Sequence, residues 1–145
     1  MKAHEQRSYD DLAKLFTHRA HVGGSDGIYI GKHPHPRAWG AFAKYLRLFT
    51  RERGDYSWSD CAVHLSARTA ERFCLGDRGR LSPGYAADVL IIDPTMVADQ
   101  ADYDTPRLDA VGIDDVFVGA QQVLAHGRLT GVLSGRGFSR SALVR

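Results

Sequence analysis

A carboxylate and a guanidinium stand eleven residues apart in the run His21-Val-Gly-Gly-Ser-Asp-Gly-Ile-Tyr-Ile-Gly-Lys-His-Pro-His-Pro-Arg37. Asp26 can take up and return a proton. Arg37 is planar and permanently charged, and can hold a carboxylate in two parallel hydrogen bonds. The apolar approach that ends in Gly23-Gly24 reads as the end of a strand. A carboxylate just past a strand, on a glycine hinge, is a common way to present a reactive group to a cleft. Taken by itself, Ser25-Asp26-Gly27 is equally a plain turn. His33 and His35 have the letters of a His-x-His metal pair, but a proline separates them in a loop. That setting fits a loop-shaping or substrate-rim role better than a metal site.

The elements around this run set where its side chains can point. Ser8, followed by Tyr9, Asp10 and Asp11, reads as a helix cap with acids in the first turn. Leu12, Leu15 and Phe16 then share a face, giving a short helix over about residues 9–18 and a strand over residues 20–24. After Arg37 the pattern predicts a longer helix, about residues 38–53. Trp39, Phe42, Leu46 and Phe49 form its apolar stripe, widened by Tyr45. Arg47, Arg51 and Arg53 form its solvated, cation-favouring end, and Gly54 follows the last turn. Ser57 and Ser66 read as caps of two further short helices, residues 58–65 and 67–73, closed by Gly76. His64 within this pair fits a satisfied or surface histidine. The strand lacks the parallel neighbours that would bury both its faces, so this half resembles a piece of a larger structure.

The texture changes at Asp77. Leu81-Ser-Pro-Gly84 predicts a tight turn, because Pro83 fixes φ and Gly84 accepts a positive one. Val89-Leu-Ile-Ile92 reads as a strand closed by Asp93-Pro94, and residues 95–112 as a long polar connection. Val116–Val118, the turn Gly119-Ala120 and Gln122–Leu124 predict a hairpin. His126-Gly127 makes a second turn before a last strand near residues 129–133. Gly135-Arg-Gly137 and the arginine-bearing tail read as a loose end.

The chain's 145 residues suffice for a packed core, and 43% hydrophobic with 25% charged residues places it among ordinary soluble proteins. A formal net charge of +2 is too small to argue for nucleic acid or an anionic membrane. No apolar run has the length of a membrane span and the start has no signal-peptide core, so a cytoplasmic location is the expectation. Cys61 and Cys74 lack any Cys-x-x-Cys spacing, which argues against a disulfide framework or a zinc knuckle.

At this point the motifs match a family. Gly24-Ser-Asp-Gly27, then Pro34-His-Pro-Arg37 with Trp39-Gly40, resembles the final barrel strand and following loop of the D-aminoacylase (N-acyl-D-amino-acid deacylase) branch of the amidohydrolase superfamily. The run Asp77-Arg-Gly-Arg-Leu-Ser-Pro-Gly-Tyr-Ala-Ala-Asp-Val-Leu-Ile-Ile-Asp-Pro94 is similar to the segment in which such chains re-enter their small β-domain. Asp104-Thr-Pro-Arg107, Gly112-Ile113, Val123-Leu-Ala-His-Gly-Arg128 and Thr130-Gly131 also resemble this branch. The resemblance implies an α/β fold: the C-terminal fragment of a metal-dependent (β/α)8 barrel, its last strand and helices, plus part of a small β-sandwich. The division it implies is residues 1–76 for the barrel part and 77–145 for the sandwich part.

The resemblance also implies zinc-dependent hydrolysis of an N-acyl group from an amino acid, the D-form expected. Asp26 matches the branch's catalytic aspartate, with contact to a second metal as an added possibility. Arg37 matches an arginine that holds the substrate's free carboxylate. The branch's His-x-His on its first strand, and its cysteine and histidines from middle strands, have no counterparts before Asp26, and His4, His18 and His21 do not restore a set. Zinc is thus expected for the full family but not for this chain alone. A small-molecule substrate, the N-acyl amino acid, and the remaining barrel portion are the expected partners; nucleic acid and membrane are not. The alternative is a non-catalytic remnant, or a subunit that takes the rest of the barrel from another chain. A small binding module on the C-terminal strands has only generic support. The expectation is that the purified chain neither binds zinc stoichiometrically nor releases amino acid from an N-acyl-D-amino acid. A zinc titration with an amino-acid release assay checks it; turnover that Asp26→Asn abolishes would overturn it.

Overall fold

A computed structural model describes residues 8–138, so the expectations for His4 and for the end of the tail lie outside the described residues. Helix α1 is Tyr9–Phe16, and the Ser8 hydroxyl accepts the Asp10 amide at 3.1 Å. Leu12 and Phe16 pack inward as expected, but Leu15 is exposed. Helix α2 starts at Arg37 behind Pro36 and runs to Lys44. Tyr45–Glu52 then continues it in a wider, π-type winding. In that stretch the Thr50 hydroxyl donates to the Tyr45 carbonyl five residues back. Gly54, at φ +68, takes the left-handed position that ends the helix.

Two expected helices are one. Helix α3, Trp58–Ala62, is opened by a capping box between Ser57 and Asp60, and passes through π-type turns at Val63–Ala67 into α4, Arg68–Arg72. Ser66 caps nothing; its hydroxyl lies on the outer wall and donates to the Gly79 carbonyl. The core is Tyr45, Phe49, Tyr56 and Cys61, ringed by Leu12, Phe16, Leu46, Leu48 and Leu65. Only one side of the predicted aromatic stripe is covered. Phe42 stays exposed, and with Trp58, Leu65 and Leu90 it lines an open groove of about 650 Å³ between helices and sheet.

The expected strand at residues 20–24 is absent. The segment from His21 to Ile30 has no regular structure and pairs with nothing in a ladder, because a strand exists only with a partner and the described residues supply none. The sheet lies wholly in the second half. It comprises β1 (Val89–Ile92), β2 (Ile113–Val118), β3 (Gln121–Ala125) and β4 (Arg128–Leu129), antiparallel in the order β1-β2-β3-β4. β4 is shorter than its apolar run predicts. No residue of these strands is buried, whereas Val97 in the connection is fully so. The sheet is thus one layer, with Leu90 and Ile91 exposed on its opposite faces.

The three arginines of α2's end are not a solvated tip; each one is paired. Arg47 bonds Asp99 at 2.6 Å and Glu52 at 2.9 Å, which holds its guanidinium proton more tightly than usual. Arg51 donates to the Thr95 and Val97 carbonyls, and Arg53 to Asp55 and Asp10. Gly112, at φ +70, lies so close to Val97 that an added Cβ would fall 2.4 Å from its amide nitrogen. The hairpin turn departs from ideal chemistry, since Gly119 has φ 57 and Ala120 φ 65. Left-handed alanine is strained. Ala120→Gly is expected to stabilise the chain by about 0.5–1 kcal/mol, relief of strain less the entropy of glycine in the unfolded state. A urea melt checks it, and an unchanged or lower midpoint would contradict it.

Candidate functional site

Asp26 and Arg37, distant in sequence, meet. Arg37 Nη2 lies 2.8 Å from Asp26 Oδ2, and Arg37 Nε donates to the Asp26 main-chain carbonyl, also at 2.8 Å. Asp26 has φ 47 and its side chain is 86% exposed, so its carboxylate faces open space with Arg37 behind it. Two contacts at Gly27 allow this. An added Cβ on Gly27 would come 3.0 Å from Ala38 Cα at the start of α2, and the Gly27 amide is capped by the Ser25 hydroxyl at 3.2 Å. The loop that follows is braced by the Tyr29 ring against Trp39, 5.1 Å between centroids, with the Tyr29 hydroxyl donating to the Ala38 carbonyl. Arg107 stacks on Trp39 and donates to the Gly31 carbonyl.

His35 is spoken for. Its Nδ1 accepts the Arg37 amide at 3.1 Å, so in the neutral ring Nε2 carries the proton and donates to the Tyr103 hydroxyl at 3.1 Å. Burial pushes its pKa down, the Arg37 charge adds to this, and Asp26 opposes it. The expected loop-shaping role for His35 fits these contacts; His33 is exposed beside it. A cavity of about 530 Å³ opens on the Arg37 side of the pair, lined also by Ser25, His35, Lys44, Tyr45 and Tyr103, and does not reach Asp26.

Behind the Asp26 segment sits a polar cluster that the sequence reading did not assemble. The Tyr56 hydroxyl donates to the Phe16 carbonyl and stands 3.4 Å from Nδ1 of both His21 and His64. The Tyr45 hydroxyl is 3.4 Å from His21 Nε2. Arg68 donates to the His21 carbonyl at 3.2 Å, and the same nitrogen lies 3.1 Å from both ring nitrogens of His64. The two nitrogens point apart in the ring plane, and in the neutral ring only one of them can accept, so a donor equidistant from both lies against the ring rather than in line with either. His64 is buried and satisfied, one of the two readings its position allowed. The one legible trace of the cluster was the four-residue spacing from His64 to Arg68 on one helix.

With this geometry in view, a sequence model of the amidohydrolase family matches residues 1–130, and the chain belongs to that family. Within it the chain is similar to a D-aminoacylase of Alcaligenes xylosoxydans xylosoxydans, 35% identical over 132 residues, covering 91% of this chain and 27% of that protein. It is 38% identical over 109 residues to an N-acyl-D-glutamate deacylase of the same organism, covering 75% of this chain and 22% of that protein. A D-aminoacylase crystal structure superposes with a TM-score of 0.82 at 33% identity, over 86% of this chain and 26% of that one. An N-acyl-D-glutamate deacylase from Bordetella bronchiseptica, complexed with zinc and a phosphonate mimic of the tetrahedral intermediate, superposes with a TM-score of 0.78 at 36% identity, over 84% and 27%. The chain therefore spans about a quarter of the length of the relatives it matches.

The zinc of that neighbour finds no set of ligands here. Among the described residues no three histidine, cysteine or acidic side chains come together to hold a metal ion. Cys61 is buried in the apolar core, which pushes its thiol pKa up, away from the thiolate a metal needs. Among the described residues, too, no helix is long and apolar enough to cross a membrane.

The histidine cluster gives the fold a pH dependence. Burial lowers the pKa of His21, with His64 and Arg68 adding to it; burial then Arg68 lower that of His64. The unfolded chain takes up protons near the ordinary value of 6.5 while the folded cluster resists them. Stability is therefore full above about pH 6.5 and falls as the pH drops below it. Urea midpoints from pH 7.5 to 5 are expected to decline, with a shallower slope in His64→Gln; equal slopes in the two chains would contradict this.

Proposed function

We propose that this chain supplies the proton-transfer and carboxylate-recognition part of an N-acyl-D-amino-acid deacylase site. The observation that carries the reading is the meeting of Asp26 and Arg37 at 2.8 Å on an exposed face. Arg37 has five N–H donors, of which two are committed to Asp26, leaving three for a substrate carboxylate. Such a carboxylate, bound at Arg37, sets the scissile amide near Asp26. Asp26 takes a proton from the attacking water as the C–O bond forms. It returns that proton to the leaving nitrogen as the C–N bond breaks, giving a carboxylate and a free amino acid. Zinc would polarise the amide carbonyl and make the attacking water more acidic, in keeping with the zinc-bound Bordetella relative, and in this reading Asp26 is the described residue that could also touch a second metal. The relatives' printed activities support an N-acyl-D-amino acid as the substrate class.

In the same reading residues 1–76 are the terminal part of a (β/α)8 barrel and 77–145 part of a small β-sandwich. The unpaired segment before Asp26 and the single-layer sheet support it, since both lack the neighbours that such an architecture provides. Those same features also favour a second reading, a non-catalytic remnant or a subunit that another chain completes.

In the metal-loaded enzyme that contains this chain, Asp26→Asn is expected to lower kcat by about 10²–10⁴-fold with metal content unchanged. Arg37→Lys is expected to raise KM for N-acyl amino acids by a larger factor than it lowers turnover of an uncharged N-acyl amide, since Arg37 also holds Asp26. Turnover of Asp26→Asn within about twofold of the parent, against the 10²–10⁴ expected of a general base, would sink the deacylase reading.

A further inference from the structure

Asp26 lies in a left-handed backbone position on a segment that no strand pairs with, so something other than a ladder must fix where its carboxylate stands. Arg37 holds Asp26 itself, and the run that leads to it is attached at residues 21–23, by one turn of the α3–α4 helix. Arg68 grips the His21 carbonyl at 3.2 Å, and the His64 carbonyl accepts the Gly23 amide at 3.1 Å. The Arg68 guanidinium rests on the His64 ring, which ties the two grips into one unit. Tyr56 locks that unit from below, between the two histidine rings and the Phe16 carbonyl. The approach is close: a Cβ on Gly23 would lie 2.2 Å from Leu65 Cδ2 and would push that side chain aside.

We infer that Arg68, with Tyr56, positions Asp26 for proton transfer by clamping the backbone at His21 and Gly23. This rests on the proposed role of Asp26. Tyr56 and His64 are only 3% and 6% exposed, and the contacts of Arg68 are to His21 and His64. None of them touches the Asp26 carboxylate, so they act through the main chain as positioning residues. The clamp differs from general packing in a specific way. Its loss frees residues 23–27, while Phe49 and Cys61 keep their contacts with Tyr45 and, in Tyr56→Phe, with the remaining ring.

Amide hydrogen exchange on the intact chain reads this directly. In Arg68→Met and in Tyr56→Phe, the Gly23 and Gly27 amides are expected to exchange about tenfold faster or more, the scale of one lost hydrogen bond. The amides of Phe49 and Cys61 are expected to keep their protection. Uniform acceleration across α2 and α3, or no change at Gly23 and Gly27, overturns the inference. If Arg68→Met fails to fold, Tyr56→Phe, which keeps the ring and loses only the hydroxyl, decides. In the metal-loaded enzyme both variants should lose about 10- to 100-fold in kcat, with KM within about threefold and metal content unchanged. Parental kcat in these variants, where Asp26→Asn is inactive, overturns the clamp and leaves the deacylase reading intact. An active Asp26→Asn overturns the deacylase reading instead.

Discussion

A backbone outside helix and sheet must find partners for its peptide groups, and between His21 and Ile30 this chain finds them outside any ladder. The Gly23 amide goes to a helix carbonyl, the Gly27 amide to the Ser25 hydroxyl, and the His21 and Asp26 carbonyls to Arg68 and Arg37. Everything at the candidate site depends on that substitution. Helix side chains take the place of neighbouring strands, and arginine suits the task because its rigid fork can reach a carbonyl while its plane lies on a ring.

The same residue type joins the two halves of the chain. Arg47 reaches Asp99, Arg51 reaches the Thr95 and Val97 carbonyls, and Arg107 reaches back to Gly31 and Trp39. These bonds fold the long connection after β1 across the face of α2. Tyr103 thereby meets His35, and the connection becomes a wall of the cavity beside Arg37. A helix end that reads as solvated is in fact the seam between the helical and the sheet halves.

The apolar surface left open has a definite pattern. Phe42 and Trp58 on the helices, Leu81 before the sheet, and Leu90 and Ile91 on its two faces are all exposed. Hydrophobic side chains placed by period on helices and strands end uncovered where no second layer meets them. In relatives about four times as long, the same segment has much more chain available to lie against it.

The sequence by itself determined what local chemistry determines. Ser8 and Ser57 cap helices because a hydroxyl satisfies a free amide within a few residues, and Gly54, Gly76 and Gly84 take the left-handed positions their turns need. The hairpin expected at Val116–Val118 and Gln122–Leu124 around Gly119-Ala120 is present, its strands longer than expected. Asp26 and Arg37 were legible as a candidate site because a recognisable motif holds both. Tertiary structure decided the rest, for reasons no local pattern contains. Residues 20–24 carry strand residues but form no strand, since a strand is defined by a partner. Ser66 has a cap's chemistry but lies inside a continuous helix. Arg47, Arg51 and Arg53 find acceptors among residues as near as Asp55 and as far off as Asp10 and Asp99. The cluster of His21, Tyr56, His64 and Arg68 exists only because packing brings residues from opposite ends of the helical half within hydrogen-bonding reach.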